Sequence, residues 1–127
     1  MTHQRSLLPE TRSRFERFVE FHGGHPGVYQ EFERFARIAR KAGVKRYGAR
    51  AIWERLRWHF RVERREDDFK LNDHFTPYYA RLLMLCDPER FGGFFERRDG
   101  RFDVDDTTLL VEAAKACDRA RLASDIK

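Results

Sequence analysis

The chain is predicted to be mainly α-helical, a compact helical domain with a helix-turn-helix-like element and a small β-hairpin. Three observations lead there. Apolar side chains recur at helical spacing along most of the sequence, and cap residues bracket the stretches that carry them. One Asp-Gly pair, Asp99-Gly100, sits between two short segments that read as strands. At 127 residues the chain is long enough for one domain to bury a core without disulfides or metal, and it has no linker or internal repeat that would divide it.

The elements follow in order. Phe15, Phe18, Val19 and His22 predict a first helix over Glu10–His22, ended by Gly23-Gly24. After Pro26-Gly27, the stripe of Val28, Tyr29, Phe32, Phe35, Ile38, Ala39 and Ala42 predicts a second helix, with Gly43 as its C-terminal glycine. Ala49, Ile52, Trp53, Leu56 and Phe60 restart the stripe in a third helix that runs from about Tyr47 to Phe60 or Arg64. Thr76 as N-cap with Pro77 behind it opens a fourth helix, apolar on most faces, from Tyr78 to Cys86, and Asp87-Pro88 closes it. Phe94–Val104 reads as the hairpin, because a type I′ turn needs positive φ at both central residues and Asp99-Gly100 supplies it. Asp105-Asp106 caps a last helix over 106–122, whose face of Leu109, Leu110, Ala113, Ala114, Cys117 and Ala120 docks on its own domain or on a second copy in a homodimer. The tail after Leu122 is expected to fray.

Charge gives the functional lead. Between Arg37 and Arg65 eleven Lys/Arg stand against only Glu54 and Glu63, while the whole chain carries a net charge of +5. A focused cation excess attracts polyanions, because neutralising phosphates releases condensed counterions. Within the element at 28–64, Ala39, Gly43, Val44, Ala49 and Ile52 meet the needs of a helix-turn-helix: small residues where helices cross, glycine in the turn, apolar residues that lock the second helix. At 100° per residue, Arg50, Arg57, Arg61 and Arg64 share the side opposite Ile52 and Leu56, where guanidinium groups reach phosphates or guanine edges. The predicted DNA-binding set is Lys45, Arg46, Arg50, Arg57 and Arg61, with Arg97, Arg98 and Arg101 assisting from the hairpin as in a winged-helix variant. The competing reading is an ordinary solvated face, paired with the acidic segments at Glu66–Asp68 and Asp103–Asp106.

Little else in the sequence points to chemistry. His22 and His25 lie three apart without a Cys, Asp or Glu to complete a zinc site, His59 between Trp58 and Phe60 reads as a partly buried, hydrogen-bonded imidazole, and His74 beside Asp73 has no paired nucleophile. No catalytic residue, metal site or cofactor is assigned, and the protein is expected not to be an enzyme. The ring-rich set of Phe15, Phe18, Phe32, Phe35, Trp53, Tyr78 and Tyr79 reads as core. Cys86 and Cys117 are isolated thiols, expected to be buried in a protein of the reducing cytoplasm. No apolar run approaches the roughly 20 residues of a membrane span, and no export signal opens the chain.

Through Phe21-His22, Val28-Tyr29, Arg46-Tyr47-Gly48-Ala49, Leu56-Arg57-Trp58, Asp68-Phe69-Lys70-Leu71-Asn72, Tyr78-Tyr79-Ala80-Arg81-Leu82 and Gly93-Phe94-Phe95-Glu96-Arg97, the chain resembles a largely uncharacterised family of short phage and prophage proteins. Asp73 and His74 stand where that family commonly carries asparagine. The resemblance implies a bacterial host cytoplasm and an accessory role, and it lends no catalytic residues. Three functions are therefore in view. The first is a non-enzymatic protein that binds duplex DNA. The second is a phage-encoded inhibitor that binds a host defence protein through the same basic face. The third is a small metal-dependent nuclease.

Overall fold

The computed structural model describes residues 13–66, 70–95 and 102–126, with side chains as far as 116. Its helices are α1 (Arg14–Gly24), α2 (Pro26–Lys41), α3 (Ala49–Trp58), α4 (Thr76–Cys86), the single turn α5 (Pro88–Phe91) and α6 (Asp106–Ile126). A π-helical segment, His59–Glu63, prolongs α3, and a 3₁₀ turn, Asp73–Phe75, leads into α4. The mainly α expectation holds.

Capping explains most of the boundaries. Ser13 opens α1 with a reciprocal capping box: its hydroxyl accepts from the Glu16 N–H at 3.0 Å, and the Glu16 carboxylate accepts from the Ser13 N–H at 2.9 Å. The predicted start at Glu10 lies outside the described residues. Gly43, at φ +96°, ends α2 in a Schellman motif in which Val44 N–H donates to Ala39 O at 3.2 Å and Gly43 N–H to Arg40 O at 3.0 Å. Asn72, rather than Thr76, is the polar cap before α4, since its side chain accepts from His74 N–H at 2.9 Å and the 3₁₀ turn then feeds the helix. Asp105 Oδ1 accepts from Thr108 N–H at 2.7 Å and starts α6 as predicted.

Tyr79 on α4 is the hub of the core. Its ring meets Phe18 of α1 edge-on at 5.0 Å, Tyr29 and Phe32 of α2 at 6.0 Å each, and Trp53 of α3 at 5.4 Å. Tyr78, Tyr79, Ala80, Leu82, Leu83 and Met84 are all buried, so α4 is the central helix on which the others pack. Phe18, Phe32 and Trp53 are buried as expected, while Phe15 and Phe35 are half-buried against the same cluster. Ile38 is exposed, because it sits about 120° round α2 from the stripe centred on Phe32.

Several expectations are corrected. Gly23-Gly24 does not end α1; the helix runs through both glycines and closes at His25, whose N–H donates to Phe21 O at 2.9 Å. The pair serves packing instead, for a Cβ on Gly23 would stand 3.3 Å from both the Cβ and the carbonyl oxygen of Ala116, so the glycine lets α6 lie close against α1. Among the described side chains of α6, Leu109, Ala113 and Ala116 are buried, Leu110 is half-buried and Ala114 exposed, and α1 and α4 pack against the helix; Cys117 and Ala120 of the predicted face lie outside the described side chains. The helix continues past Leu122 to Ile126. Cys86 is exposed, not buried.

No strand forms among the described residues, and the hairpin and wing are not supported. Phe94 and Phe95, read as hairpin residues, are buried instead, with Phe95 5.5 Å from Phe32. Tyr47 N–H donates to Phe94 O at 2.9 Å, and Tyr47 and Phe95 form an isolated parallel bridge. Two bulky rings drawn into the core hold the backbone there, away from an outward ribbon. The turn Asp99-Gly100 lies outside the described residues. Beyond it, Asp103 accepts from the Tyr78 hydroxyl at 2.7 Å, and Arg81 stacks over the Phe102 ring at 3.7 Å.

Candidate nucleic-acid interface

The basic segment folds as the C-terminal half of α2, the connection 42–48 and α3 with its π-helical extension. That connection is longer than the three or four residues of a helix-turn-helix corner. Its far end is fixed by the Tyr47 pairing with Phe94-Phe95, which places the start of α3 without a short turn. Ile52, Trp53 and Leu56 face the core, as the helical register requires, so the opposite side of α3 is the outer face.

The predicted residues divide into two groups. Lys45 and Arg46 are exposed in the connection and Arg61 is exposed on the π-helical segment; none forms an ion pair with a described residue. Arg50 is 78% exposed at its side chain and only loosely paired with Asp73, at 3.6 Å. Arg57 is different. Its guanidinium bonds Glu54 on its own helix, Leu71 O at 2.8 Å and Asp73 Oδ1 at 2.5 Å, which ties α3 to the approach to α4. Asp73 in turn is held below the usual carboxylate range, chiefly by the Arg57 hydrogen bond. Arg97, Arg98 and Arg101 lie outside the described residues.

Arg57 is thus a structural cross-link in the position assigned to a phosphate contact. Hydrogen bonds to charged groups contribute more than neutral ones, and partial exposure reduces the gain. Arg57→Ala should cost about 1 kcal/mol by urea denaturation, whereas Arg61→Ala should leave the midpoint at the wild-type value. Equal midpoints for the two variants would show that the cross-link contributes nothing.

Arg55, Arg64 and Arg37 also take local partners. Arg55 meets both Glu63 oxygens, at 3.0 and 3.3 Å, Arg64 meets Glu66 at 2.6 Å, and Arg37 meets Glu33 at 3.3 Å. Carboxylates from outside the segment, Glu33, Glu66 and Asp73, therefore reach back into it. Arg37, Arg55, Arg57 and Arg64 thus behave as an ordinary paired face, but of the acidic segments expected to pair with it Glu66 meets Arg64 whereas Asp103 accepts from Tyr78 and Asp105 caps α6. Arg40 donates to Arg90 O at 2.7 Å, and the cations without a close ion pair among the described residues are Lys41, Lys45, Arg46, Arg61 and Arg65, with Arg50 loosely held.

The π-helical segment shapes the end of this face. Arg64 N–H donates to His59 O at 2.9 Å and Glu66 N–H to Phe60 O at 2.7 Å, with Arg65 at φ +56°. The wider turn buries Phe60 while His59 sits between Phe35, at 5.4 Å, and Phe60, at 5.2 Å, with Nδ1 2.7 Å from Glu63. A left-handed, non-glycine residue costs about 1–2 kcal/mol, and such strain clusters at functional segments.

Sequence reasoning missed Trp58. It lies about 160° from Leu56 on the helical wheel, so the register that placed the arginines also places this ring outward. It is 52% exposed, and Val62, one turn on, is 48% exposed. The Arg55 guanidinium stands 5.3 Å from its ring centroid and 4.6 Å from that of Phe35.

His22 is in the core and His25 at the end of α1, where its Nδ1 lies 3.3 Å from Phe21 O. Among the described residues no three of His, Cys, Asp and Glu come together to hold a metal ion, and no helix is long and apolar enough to cross a membrane. Comparison with protein-family models, curated proteins and solved structures gave no match.

Proposed function

We propose that this chain is a non-enzymatic DNA-binding accessory protein of phage or prophage origin, at work in a bacterial cytoplasm, which grips the phosphate backbone through Lys45, Arg46, Arg50 and Arg61. The observation that supports the reading is the availability of these cations: three have no ion pair with a described residue and the fourth is only loosely held. Arg57 is removed from the contact set, because a phosphate would have to displace Asp73, Glu54 and a backbone carbonyl. Backbone contacts of this kind fix position and carry little sequence information, so modest sequence preference is part of the proposal.

Fluorescence anisotropy across a salt series tests it. Each lost phosphate contact should lower the slope of log affinity against log salt by about one. Replacing Lys45, Arg46 and Arg61 together by alanine should lower it by about three, with an unchanged circular-dichroism spectrum. Unchanged affinity and slope in that variant would refute the grip.

A second reading, an inhibitor that binds a host protein through the same face, is favoured by the exposed Trp58 and Val62 among arginines, since tryptophan and arginine dominate protein-interface hot spots. A partner that depends on this face and persists after nuclease treatment would favour it over DNA binding.

A further inference from the structure

The outer face of α3 carries a tryptophan that stands outside the core cluster. Trp53, five residues earlier, is completely buried, whereas Trp58 leaves half of its surface in solvent. Arg55 donates to both oxygens of Glu63 and lies over the Phe35 ring, and its guanidinium stands 5.3 Å from the Trp58 ring centroid. Of the carboxylates nearest in the helix, Glu54 is bound by Arg57 and Glu63 by Arg55 and His59, so neither presents a free charge to an anion. Arg61 stands one turn on, exposed and without an ion pair to a described residue.

We infer that Trp58 is a stacking platform for an unpaired nucleobase, so that the preferred ligand is single-stranded DNA or the single-stranded part of a fork or gap. The inference rests on the DNA-binding reading and names its substrate class. An aromatic face accepts any base, and base–aromatic stacking adds to a cationic groove without sequence readout. In uninterrupted duplex the bases are already stacked, and a ring reaches them only by wedging a step apart at a cost of a few kcal/mol. An unpaired base avoids that cost. Charge selects this occupant over an apolar protein surface: Arg61, on the same outer side of α3, is exposed without an ion pair to a described residue, and Arg50 on that side is only loosely held by Asp73.

The two tryptophans make the test direct, because one is buried and the other is the exposed fluorophore. Short single-stranded oligothymidylate and a blunt duplex of matched length are titrated at the same salt against wild type, Trp58→Ala and Trp58→Phe. The single strand should quench wild-type fluorescence and bind more tightly than the duplex. Trp58→Ala should weaken single-strand binding by about 5- to 150-fold, the range that stacking supplies, with the salt slope and duplex affinity unchanged. Trp58→Phe should recover most of the loss. If both ligands bind alike, without quenching, and Trp58→Ala alters neither, the stacking inference is overturned while the phosphate grip stands. If neither ligand binds, both readings fall and the face is left to a protein partner.

Discussion

Leu56→Ala should destabilise the protein by about 2–5 kcal/mol, the cost of deleting a fully buried leucine and leaving a cavity that its neighbours fill only in part. Leu56 has no exposed surface and lies in one cluster with Ile52, Trp53 and Phe60. Relief by collapse is limited, because large rings surround this part of the core: Trp53 is braced by Phe32 at 6.2 Å and by Tyr79 at 5.4 Å. The measurement is a denaturant midpoint with the slope held constant. The same experiment bears on function, because Leu56 fixes the rotation of α3 about its axis. A wild-type midpoint would turn that helix over and remove Arg50, Trp58 and Arg61 from a common outer face.

The order of α3 in the fold therefore decides what its arginines can do, and charge counting along the chain does not. The segment from Arg37 to Arg65 is strongly basic in sequence, yet Glu33, Glu66 and Asp73 fold back onto it. Asp73 is the instructive residue. It lies sixteen positions after Arg57, beyond the reach of any helical-wheel argument, and it converts the central arginine of the predicted stripe into a brace.

What could be read in advance was local. Gly43 and Val44 ended α2 by a motif with a fixed hydrogen-bond pattern, Asp105 capped α6, and the apolar positions of α4 surrounded the whole helix. What could not be read depended on partners distant in sequence. Gly23-Gly24 looked like a stop, and helix propensity alone favours that, but packing against Ala116 rewards a helix with no side chain at that point. Phe94 and Phe95 looked like a strand, but burial against Phe32 and the Tyr47 backbone gave them another role. The outward placement of Trp58 was legible from the wheel, but the Arg55 guanidinium between its ring and Phe35 was not, since no pattern along α3 reveals it.

Acidification should begin to weaken the fold above the pH range in which the carboxylates titrate, and His22 is the cause. The ring is 2% exposed, stacked on Phe18 at 5.6 Å and met edge-on by Tyr29 and Tyr79, with the Tyr79 hydroxyl 3.4 Å from Nδ1. Burial disfavours the imidazolium and pushes the pKa down to about 4 from an ordinary 6.5. Between those two values the unfolded chain takes up a proton that the folded chain refuses. Stability is therefore complete above about pH 6.5, falls as the pH drops toward 4, and levels off below, for a total loss of about 3 kcal/mol. Most of this, about 2 kcal/mol, should be gone by about pH 5. Asp73, Asp105 and Glu63 all have lowered pKa values, so their own losses come at lower pH. Urea midpoints measured at intervals from about pH 7.5 to 5 give the slope, and His22→Gln should flatten it whatever that variant does to stability at neutral pH. A slope that survives the substitution would assign the acid sensitivity to another group and place His22 in contact with water.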